Sequence, residues 1–190
     1  MRRGLLTVVS GPSGVGKDTV LAEVFRRDPA LSYSVSYTTR QPRPGEVDGR
    51  DYSFVEDAEF DRMVAAGELL EWEPVHTHRS GTGRLRVEDA LERGADIVLN
   101  IDVKGGLAIR RLVADPLLVF LAPPSLEELE RRRRERGTED AAELAQRAAD
   151  AGVEMGYSDQ YDAVVINDDI ERAAEEILEL IEERRGRDRA

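Results

Sequence analysis

The most constraining feature of this sequence is a glycine-rich stretch at residues 11–18, which directly follows an apolar run at residues 5–9. The stretch fits the pattern G-x-x-x-x-G-K, in which backbone N–H groups at the start of a helix converge on one phosphate-sized anion. Its glycines allow close approach of the backbone, and Lys17 adds a positive charge that can reach the outer phosphates. The sequence therefore predicts a strand, a phosphate loop and a helix in that order.

Lys17 is one of only two lysines in the chain, the other being Lys104. A compact ammonium thus stands where a phosphate needs one, in a chain that otherwise uses arginine. The next residue departs from the pattern, because Asp18 occupies the position whose hydroxyl usually contacts Mg²⁺, and Thr19 lies one residue further along. We therefore expect unusual handling of the metal.

Composition limits the classes of protein to which the chain can belong. A chain of 190 residues that is 41% hydrophobic suits one globular unit with a sizeable core. The absence of cysteine excludes disulfides and thiolate chemistry, and the net charge of −12 argues against nonspecific binding of nucleic acid. The first apolar run stops at Gly11-Pro12, too early for a membrane span. We expect a soluble cytoplasmic protein with neither nucleic acid nor membrane as a partner.

Apolar runs alternate with helical patterns along the chain, which predicts an α/β fold with a parallel sheet. The expected strands lie at residues 5–10, 34–37, 69–75, 97–99, 117–121 and 164–166, and the expected helices at 17–27, 60–66 and 107–112. Residues 40–51 read as a long polar turn. Ser125 with Glu128 predicts a capping box, and Asp168-Asp169 predicts the start of a last helix.

A second anion site is indicated by the polar turn. Arg40 and Arg43 stand in a stiff proline-containing frame and would be rigid planar donors to a phosphate, to which Tyr52 would add a hydroxyl. The alternative is a solvated turn whose arginines pair with Glu46 and Asp48.

In its spacing of T-T-R-x-P-R-x-G-E, D-G and D-Y-x-F, this segment resembles the GMP-binding segment of guanylate kinases. Further matches run from Leu5 to about residue 182, at residues 71–72, 101–103, 122–125, 136–138 and 166–169. The resemblance implies a P-loop NTPase-type parallel sheet core flanked by helices, with an inserted small mixed α/β GMP-binding lobe and a helical lid. The single domain would comprise a core (about 1–33, 85–124 and 158–190), a lobe (about 34–84) and a lid (about 125–157).

The resemblance also implies an activity, the ATP-dependent phosphorylation of GMP, and of dGMP, to GDP by direct in-line transfer of the γ-phosphoryl group in purine metabolism, with Mg²⁺ accompanying ATP. One alternative is a kinase for another small acceptor of the ribose bisphosphate type, and another is a noncatalytic guanylate-kinase-like module that binds phosphopeptides. The intact Gly16-Lys17 pair argues against the module, and Glu71 with the full arginine segment argues against the other acceptor.

Site residues follow from the same resemblance. Catalytic roles are expected for Lys17, Arg40, Arg43, Arg136 and Arg147. ATP binding is expected for Gly11, Pro12, Ser13, Gly14, Val15, Gly16, Lys17, Asp18, Thr19, Arg132, Arg136, Asn167 and Asp168. GMP binding is expected for Ser36, Arg40, Arg43, Glu46, Tyr52, Glu71, Ser80, Thr82 and Asp102. Metal binding, partly through water, is expected for Asp18 and Asp102.

Glu71 would make the site specific for guanine, because a carboxylate can accept hydrogen bonds from both the N1–H and N2–H₂ donors of that base. The sequence departs from the family pattern at two positions. Ser80 stands where the family commonly has a phosphate-binding tyrosine, which Arg79 would replace, and Asn100 stands where a carboxylate is common. The remaining arginines of the run 131–134 are expected to form a solvated face that pairs with neighbouring glutamates. We expect His76 and His78 to be loop residues.

Overall fold

The computed structural model describes residues 3–75, 77–136 and 150–187. Its strands are β1 (Leu6–Ser10), β2 (Ser32–Tyr33), β3 (Tyr37–Thr38), β4 (Ser53–Phe54), β5 (Leu69–Val75), β6 (His78–Gly83), β7 (Ile97–Asn100), β8 (Leu117–Ala122) and β9 (Ala163–Ile166). Its helices are α1 (Lys17–Arg27), α2 (Asp57–Ala65), α3 (Arg84–Glu92), α4 (Val103–Leu112), α5 (Leu126–Arg136) and α6 (Ile170–Arg187). Residues 150–155 are also helical, and a short 3-10 helix covers Ser158–Gln160.

The strands form two sheets. The larger has the order β2-β7-β1-β8-β9, and the smaller has the order β4-β3-β6-β5. In the larger sheet β2 runs parallel to β7, and β8 runs parallel to β9. In the smaller sheet β6 is antiparallel to both β3 and β5, with Glu71 opposite Thr82 in the register. The predicted mixed α/β class with a parallel sheet is confirmed.

Strands β1 and β8 are buried at every residue, which explains their mainly apolar sequences. Strand β9 lies at the edge of the sheet and differs, because Val165 is buried while Val164 and Ile166 are each 46% exposed. The strand predicted at residues 164–166 is thus present, but its continuous apolar run, which would indicate a strand buried on both faces, is buried only at Val165.

The strand predicted at residues 34–37 was also assigned incorrectly. Instead of one strand at residues 34–37, the structure has β2 before it and β3 at its end, with residues 34–36 outside both. Helices α2 and α4 begin earlier than predicted, at Asp57 and Val103. Strands β2 and β3 were missed because each has only two residues, which is too short to give the alternating pattern by which a strand is recognised.

Two compact units make up the chain, and the first consists of Met1–Thr7, Ala30–Asn100 and Lys104–Pro116. It contains the smaller sheet, whose core includes Phe60, Met63 and Leu69. The ring of Trp72 lies edge-on to Phe60 with 6.2 Å between centroids. This unit therefore carries the predicted arginine segment and Glu71.

The second unit consists of Val8–Pro29, Ile101–Val103 and Leu117–Ala190, and it contains the glycine-rich loop. Helices α1 and α6 pack together, and the ring of Phe120 lies edge-on to Tyr161 at 5.3 Å. The Tyr161 hydroxyl donates to the backbone oxygen of Val103 at 3.1 Å. The predicted division into core, lobe and lid differs from these units and stays a prediction.

None of the helices in the described part of the chain is both long enough and apolar enough to cross a membrane.

Candidate functional site

The glycine-rich loop runs from the end of β1 to the first residue of α1, as predicted. Gly16 caps α1 with a left-handed φ of 99°, and an added Cβ there would lie 2.7 Å from Nδ2 of Asn167. At Gly11 a Cβ would lie only 2.1 Å from the backbone oxygen of Leu121. Both positions therefore require glycine, one for conformation and space and the other for close backbone approach.

Asn167 fixes this loop from the interior. Its side chain is 3% exposed, and its Nδ2 donates to the backbone oxygen of Val15 at 2.7 Å. Its own backbone oxygen accepts from Nη2 of Arg132 at 3.2 Å. Asn167 thus supports the loop that would hold ATP, whereas direct contact of Asn167 and Arg132 with ATP stays a prediction.

Charged residues lie in and near the loop. Lys17 donates from Nζ to the backbone oxygen of Gly11 at 2.6 Å. Asp18 and Thr19 are exposed in the first turn of α1. Asp102, predicted to serve both GMP and the metal, is exposed and belongs to the unit that contains the loop. Its backbone oxygen accepts from the hydroxyl of Ser10 at 3.4 Å.

Sequence reasoning missed one carboxylate at this loop, that of Glu154 in the helical residues 150–155. Burial raises the pKa of the Glu154 carboxyl group, and the nearby carboxylates of Asp102 and Asp150 add to that rise. The ammonium of Lys17 and the backbone N–H of Ser13, which donates to the carboxylate, oppose it. No local signal marks Glu154, because Ser13 and Lys17 are more than a hundred residues away from it in the chain.

Glu71 and Thr82 form the most enclosed polar pair in the first unit. They face each other across β5 and β6, with 8% and 0% exposure, respectively. The Thr82 hydroxyl donates to Oε1 of Glu71 at 2.5 Å. The carboxylate is thereby fixed in orientation, as a group that recognises adjacent N–H donors must be. Ser36, the other predicted hydroxyl, is 3% exposed just before β3.

Arg40 and Glu46 form a bidentate ion pair within the polar turn. Nη1 and Nη2 of Arg40 each donate to one carboxylate oxygen of Glu46 at 2.6 Å. The same carboxylate accepts the backbone N–H of Arg43 at 2.7 Å, and the side chain of Arg43 is exposed. The guanidinium carbon of Arg40 lies 4.8 Å from the ring centre of Tyr52. Hydrogen bonding to Arg40 lowers the pKa of the Glu46 carboxyl group.

This turn shows part of the solvated-turn interpretation, and the phosphate-site interpretation stays a prediction. Arg40 does pair with Glu46, as in the solvated-turn alternative, but Asp48 accepts the backbone N–H of Phe54 at 2.9 Å. The pairing leaves Arg43 exposed beside a rigid neighbour. Direct contact of Glu46 with GMP stays a prediction, and its observed contacts are those of a residue that positions arginines.

Arg79 pairs with neighbouring carboxylates in the structure, and the role suggested for it stays a prediction. Its guanidinium pairs with Asp61 at 2.5 Å and Asp57 at 2.7 Å, and it stacks on Phe60 at 4.7 Å. Two carboxylates therefore already satisfy the charge that was expected to replace a tyrosine donor. Ser80 donates to the backbone oxygen of Tyr37 at 3.3 Å. His78 is the first residue of β6 and not a loop residue.

The arginine run on α5 pairs largely as expected. Arg131 contacts Glu128 at 2.7 Å, and Arg134 contacts Glu130 at 2.9 Å. The side chain of Arg132, predicted to bind ATP, also contacts Glu128, at 3.0 Å. Ser125 accepts the backbone N–H of Glu128 at 3.1 Å, which forms one half of the predicted capping box.

Several predicted residues cannot be placed. Arg147 and His76 lie outside the described residues, as do the side chains of Arg133 and Arg136, although Arg136 ends α5. Asp168 is exposed and pairs with Arg172, and its contact with ATP stays a prediction.

Metal binding by the protein alone is not indicated. Within residues 3–75, 77–136 and 150–187, no group of three or more His, Cys, Asp or Glu side chains could hold an ion. Asp18 and Asp102 are nevertheless hard oxygen donors of the type that Mg²⁺ uses together with phosphate oxygens and water. The donor chemistry therefore fits a metal that arrives with a nucleotide.

The whole chain resembles known proteins. A guanylate kinase family model matches residues 3–184. A guanylate kinase of Nocardia farcinica is 48% identical over 181 residues, which are 94% of this chain and 94% of that protein. A guanylate kinase of Streptomyces kasugaensis is 49% identical over 94% of this chain and 87% of that protein. The crystal structure of guanylate kinase from Anaplasma phagocytophilum matches with a TM-score of 0.82 and 31% identity, covering 97% of this chain and 87% of that one.

Proposed function

The chain belongs to the guanylate kinase family, and from this premise we propose that it transfers the γ-phosphoryl group of ATP directly to the phosphate of GMP, forming ADP and GDP. The relatives match over nearly the full chain, so the whole catalytic unit is compared and not one motif. dGMP is a second expected acceptor, since the base contacts proposed below do not involve the ribose.

The glycine-rich loop would bind the phosphates of ATP. Its backbone approaches the ligand without side-chain obstruction, and the N-terminus of α1 adds the positive end of a helix dipole. Lys17, which contacts Gly11 in the structure, would turn to the outer phosphates when they are present. Mg²⁺ bound to those phosphates, with Asp18 and Asp102 as nearby carboxylates, would supply charge neutralisation.

The choice of acceptor is carried by one observation, the buried Glu71 carboxylate held by Thr82. Guanine offers two adjacent donors to such a group, whereas adenine would leave the carboxylate without a partner in a desolvated site. Arg43, with Arg40 held beside it by Glu46, would bind the GMP phosphate. Ser36 and Thr82 would contact the remaining polar edges of the base.

Catalysis in this scheme consists of positioning and charge stabilisation, because phosphoryl transfer needs little covalent participation by the protein. Lys17 would stabilise charge on the transferring group from the loop. Arg136 and Arg147 would add cations on the side of the lid, as the family resemblance implies. The absence of cysteine from the chain supports the proposal that the enzyme works in the cytoplasm.

An acceptor panel tests the proposal. A coupled assay that detects ADP would be run with ATP and, in turn, GMP, dGMP, AMP, UMP and ribose 1,5-bisphosphate. We expect turnover with GMP and dGMP only. Preference for ribose bisphosphate would establish the alternative kinase, and binding of GMP without turnover under any condition would favour the noncatalytic module.

A further inference from the structure

The side chain of Asn167 contacts the glycine-rich loop at a single peptide group, the one that joins Val15 to Gly16. Its Nδ2 donates to the backbone oxygen of Val15 at 2.7 Å, and a Cβ added to Gly16 would lie 2.7 Å from the same atom. Asn167 is 3% exposed and Val15 is fully buried, so this hydrogen bond lies in the interior. All three residues belong to the second compact unit. The amide of Asn167 therefore holds the Val15 oxygen on the interior side of the loop.

The direction of the Val15 oxygen also determines the direction of the Gly16 N–H. This peptide is trans, and in a planar trans peptide the C=O of one residue and the N–H of the next point in opposite directions. The Gly16 N–H thus points away from Asn167. Because Gly16 caps the N-terminus of α1, this N–H belongs with the unsatisfied donors of the helix start, which are the groups that bind anions.

Gly16 does not fix this direction by itself. Its φ of 99° suits the turn, but glycine adopts positive and negative φ about equally well. Turning the Val15–Gly16 peptide over reverses the sign of φ at Gly16, and a glycine has no side chain to oppose that change. The freedom that makes glycine necessary here also leaves the peptide free to turn over, so a contact from outside the loop must prevent it.

The backbone of Asn167 is anchored on both sides of its side chain. Its N–H donates to the oxygen of Ala122 at the end of β8 at 2.8 Å, and its oxygen accepts from Nη2 of Arg132 at 3.2 Å. Arg132 is held in turn by Glu128 at 3.0 Å. The position of Asn167 is therefore fixed by contacts outside the loop, as a group that orients the loop requires.

We propose that Asn167 is a positioning residue, which keeps the Gly16 N–H directed at the anion by holding the Val15 oxygen on the opposite side of the peptide. The inference rests on the proposed function only in that the anion is a phosphate of ATP. Without the Asn167 donor the peptide also populates the reversed orientation, and affinity falls with the fraction of molecules in the competent one. In this role no atom of Asn167 touches the nucleotide, unlike the direct contact that the family resemblance implies.

The test compares wild type with Asn167→Leu, which keeps the approximate size of the side chain but removes its donor, and with Asn167→Ala. Calorimetric titration measures the affinity for tripolyphosphate and, separately, for MgATP. Both variants should bind both ligands about fivefold more weakly or worse, which is the factor that one net hydrogen bond contributes. In steady-state kinetics KM for ATP should rise by the same factor, while KM for GMP stays that of wild type.

Asp162→Ala is the control for a general loss of stability, since it removes a hydrogen bond from the same unit. Oδ2 of Asp162 accepts the N–H of Leu118 near the start of β8 at 2.8 Å, whereas Gly11 of the loop approaches that strand at Leu121. The control should have a lower Tm but keep both affinities within about twofold of wild type.

Each other result of the titrations contradicts the proposal. An equal loss of affinity in Asp162→Ala would mean that Asn167 only stabilises the fold. Wild-type affinity for tripolyphosphate in the Asn167 variants, with a loss for MgATP alone, would mean that Asn167 contacts the adenosine part of the nucleotide. Wild-type affinity for both ligands would mean that the peptide keeps its direction without Asn167.

The Gly16 N–H can also be observed directly, because Val15-Gly16 is the only Val-Gly pair in the sequence. Labelling valine with ¹³C at the carbonyl and glycine with ¹⁵N therefore selects one amide resonance in a carbonyl-correlated NMR spectrum. This resonance should move downfield when tripolyphosphate binds to wild type, and much less in Asn167→Leu. A resonance that does not move in wild type refutes the proposal even if neither variant folds.

Tripolyphosphate keeps this inference separate from the proposed function, because it probes the loop without base, ribose or acceptor. Wild type that phosphorylates GMP while the Asn167 variants lose no tripolyphosphate affinity refutes the inference alone. The expected losses in a protein that does not phosphorylate GMP refute the function alone.

Discussion

At position 71 a carboxylate is 8% exposed and receives a 2.5 Å hydrogen bond from Thr82. The substitution Glu71→Gln keeps the shape of the side chain but presents an N–H₂ group toward one of guanine's own donors. A mismatch of about 1–3 kcal/mol should lower kcat/KM for GMP roughly 5- to 150-fold. Steady-state kinetics with varied GMP measures the loss, and MgATP affinity should remain that of wild type.

Glu92→Gln is the control for that experiment, since Glu92 is an exposed carboxylate at the end of α3 in the same unit. It should leave the kinetics unchanged. Equal losses of GMP turnover and ATP affinity in Glu71→Gln would mean that Glu71 maintains the fold and does not recognise the base.

Glu46 should act through the arginines that it holds. Its carboxylate binds Arg40 through two 2.6 Å hydrogen bonds, and these bonds lower its pKa, so the ion pair is lost only as the pH falls through that lowered pKa. Glu46→Gln should release Arg40 and raise KM for GMP about tenfold, with a smaller effect on kcat. Glu56→Gln, at an exposed position preceding α2, is the matched control. A fall in kcat at unchanged KM would contradict a positioning role.

Asp18 is the residue of the loop that departs most from the phosphate-binding pattern. A carboxylate in the first turn of α1 repels ATP phosphates when metal is absent and can contact Mg²⁺, directly or through water, when it is present. Asp18→Ser should therefore bind metal-free ATP about tenfold more tightly and gain less affinity on adding Mg²⁺. Titrations with and without Mg²⁺ measure both quantities. An equal gain in the two proteins would mean that Asp18 lies away from the metal.

Contacts between residues that are far apart in the chain could not be predicted from the sequence. Lys17 was singled out by the glycine pattern around it, and Glu71 only by its place in the resemblance to the family. Glu154 was not, because the N–H that it accepts belongs to Ser13 at the other end of the chain. The ion pairs of Arg79 with Asp57 and Asp61 were not predicted, because α2 and β6 become neighbours only in the fold.

Among the helices, α6 has a defined start at Asp169, whose Oδ1 accepts the backbone N–H of Arg172 at 2.9 Å. The substitution Asp169→Ala should lower the free energy of unfolding by about 1 kcal/mol, because it leaves that donor without its cap. Asp169→Asn is the control, since asparagine caps helices as well as aspartate does. Urea denaturation measures both, and equal stability of all three proteins would show that this cap contributes nothing.

At the scale of elements, strong patterns were predicted well and short ones were not. Strand β1, the loop and α1 were recognised because an apolar run, fixed glycines and a helical period occur in succession. Strands β2 and β3 were merged because each has two residues. The exposure of Val164 and Ile166 was missed because β9 is at the sheet edge, which depends on strand order and not on its own residues.

The molecule as a whole carries a net charge of −12, yet both proposed ligands are anions. We propose that local cations bind these ligands, namely Lys17 in one compact unit and Arg40 with Arg43 in the other. In this proposal each unit supplies positive side chains to one phosphorylated ligand. This division of charge is what a two-substrate phosphotransferase requires, and no broad basic surface is needed.

The most direct test of this account follows the phosphoryl group itself. The protein would be incubated with MgATP labelled with radioactive phosphorus in the γ position, with and without GMP, and the products would be separated by chromatography. We predict that the label appears in GDP when GMP is present, that little is released as inorganic phosphate, and that Lys17→Ala abolishes the transfer. Label found only in inorganic phosphate, or retained in ATP despite bound GMP, would contradict the assignment of this chain as a GMP-phosphorylating enzyme.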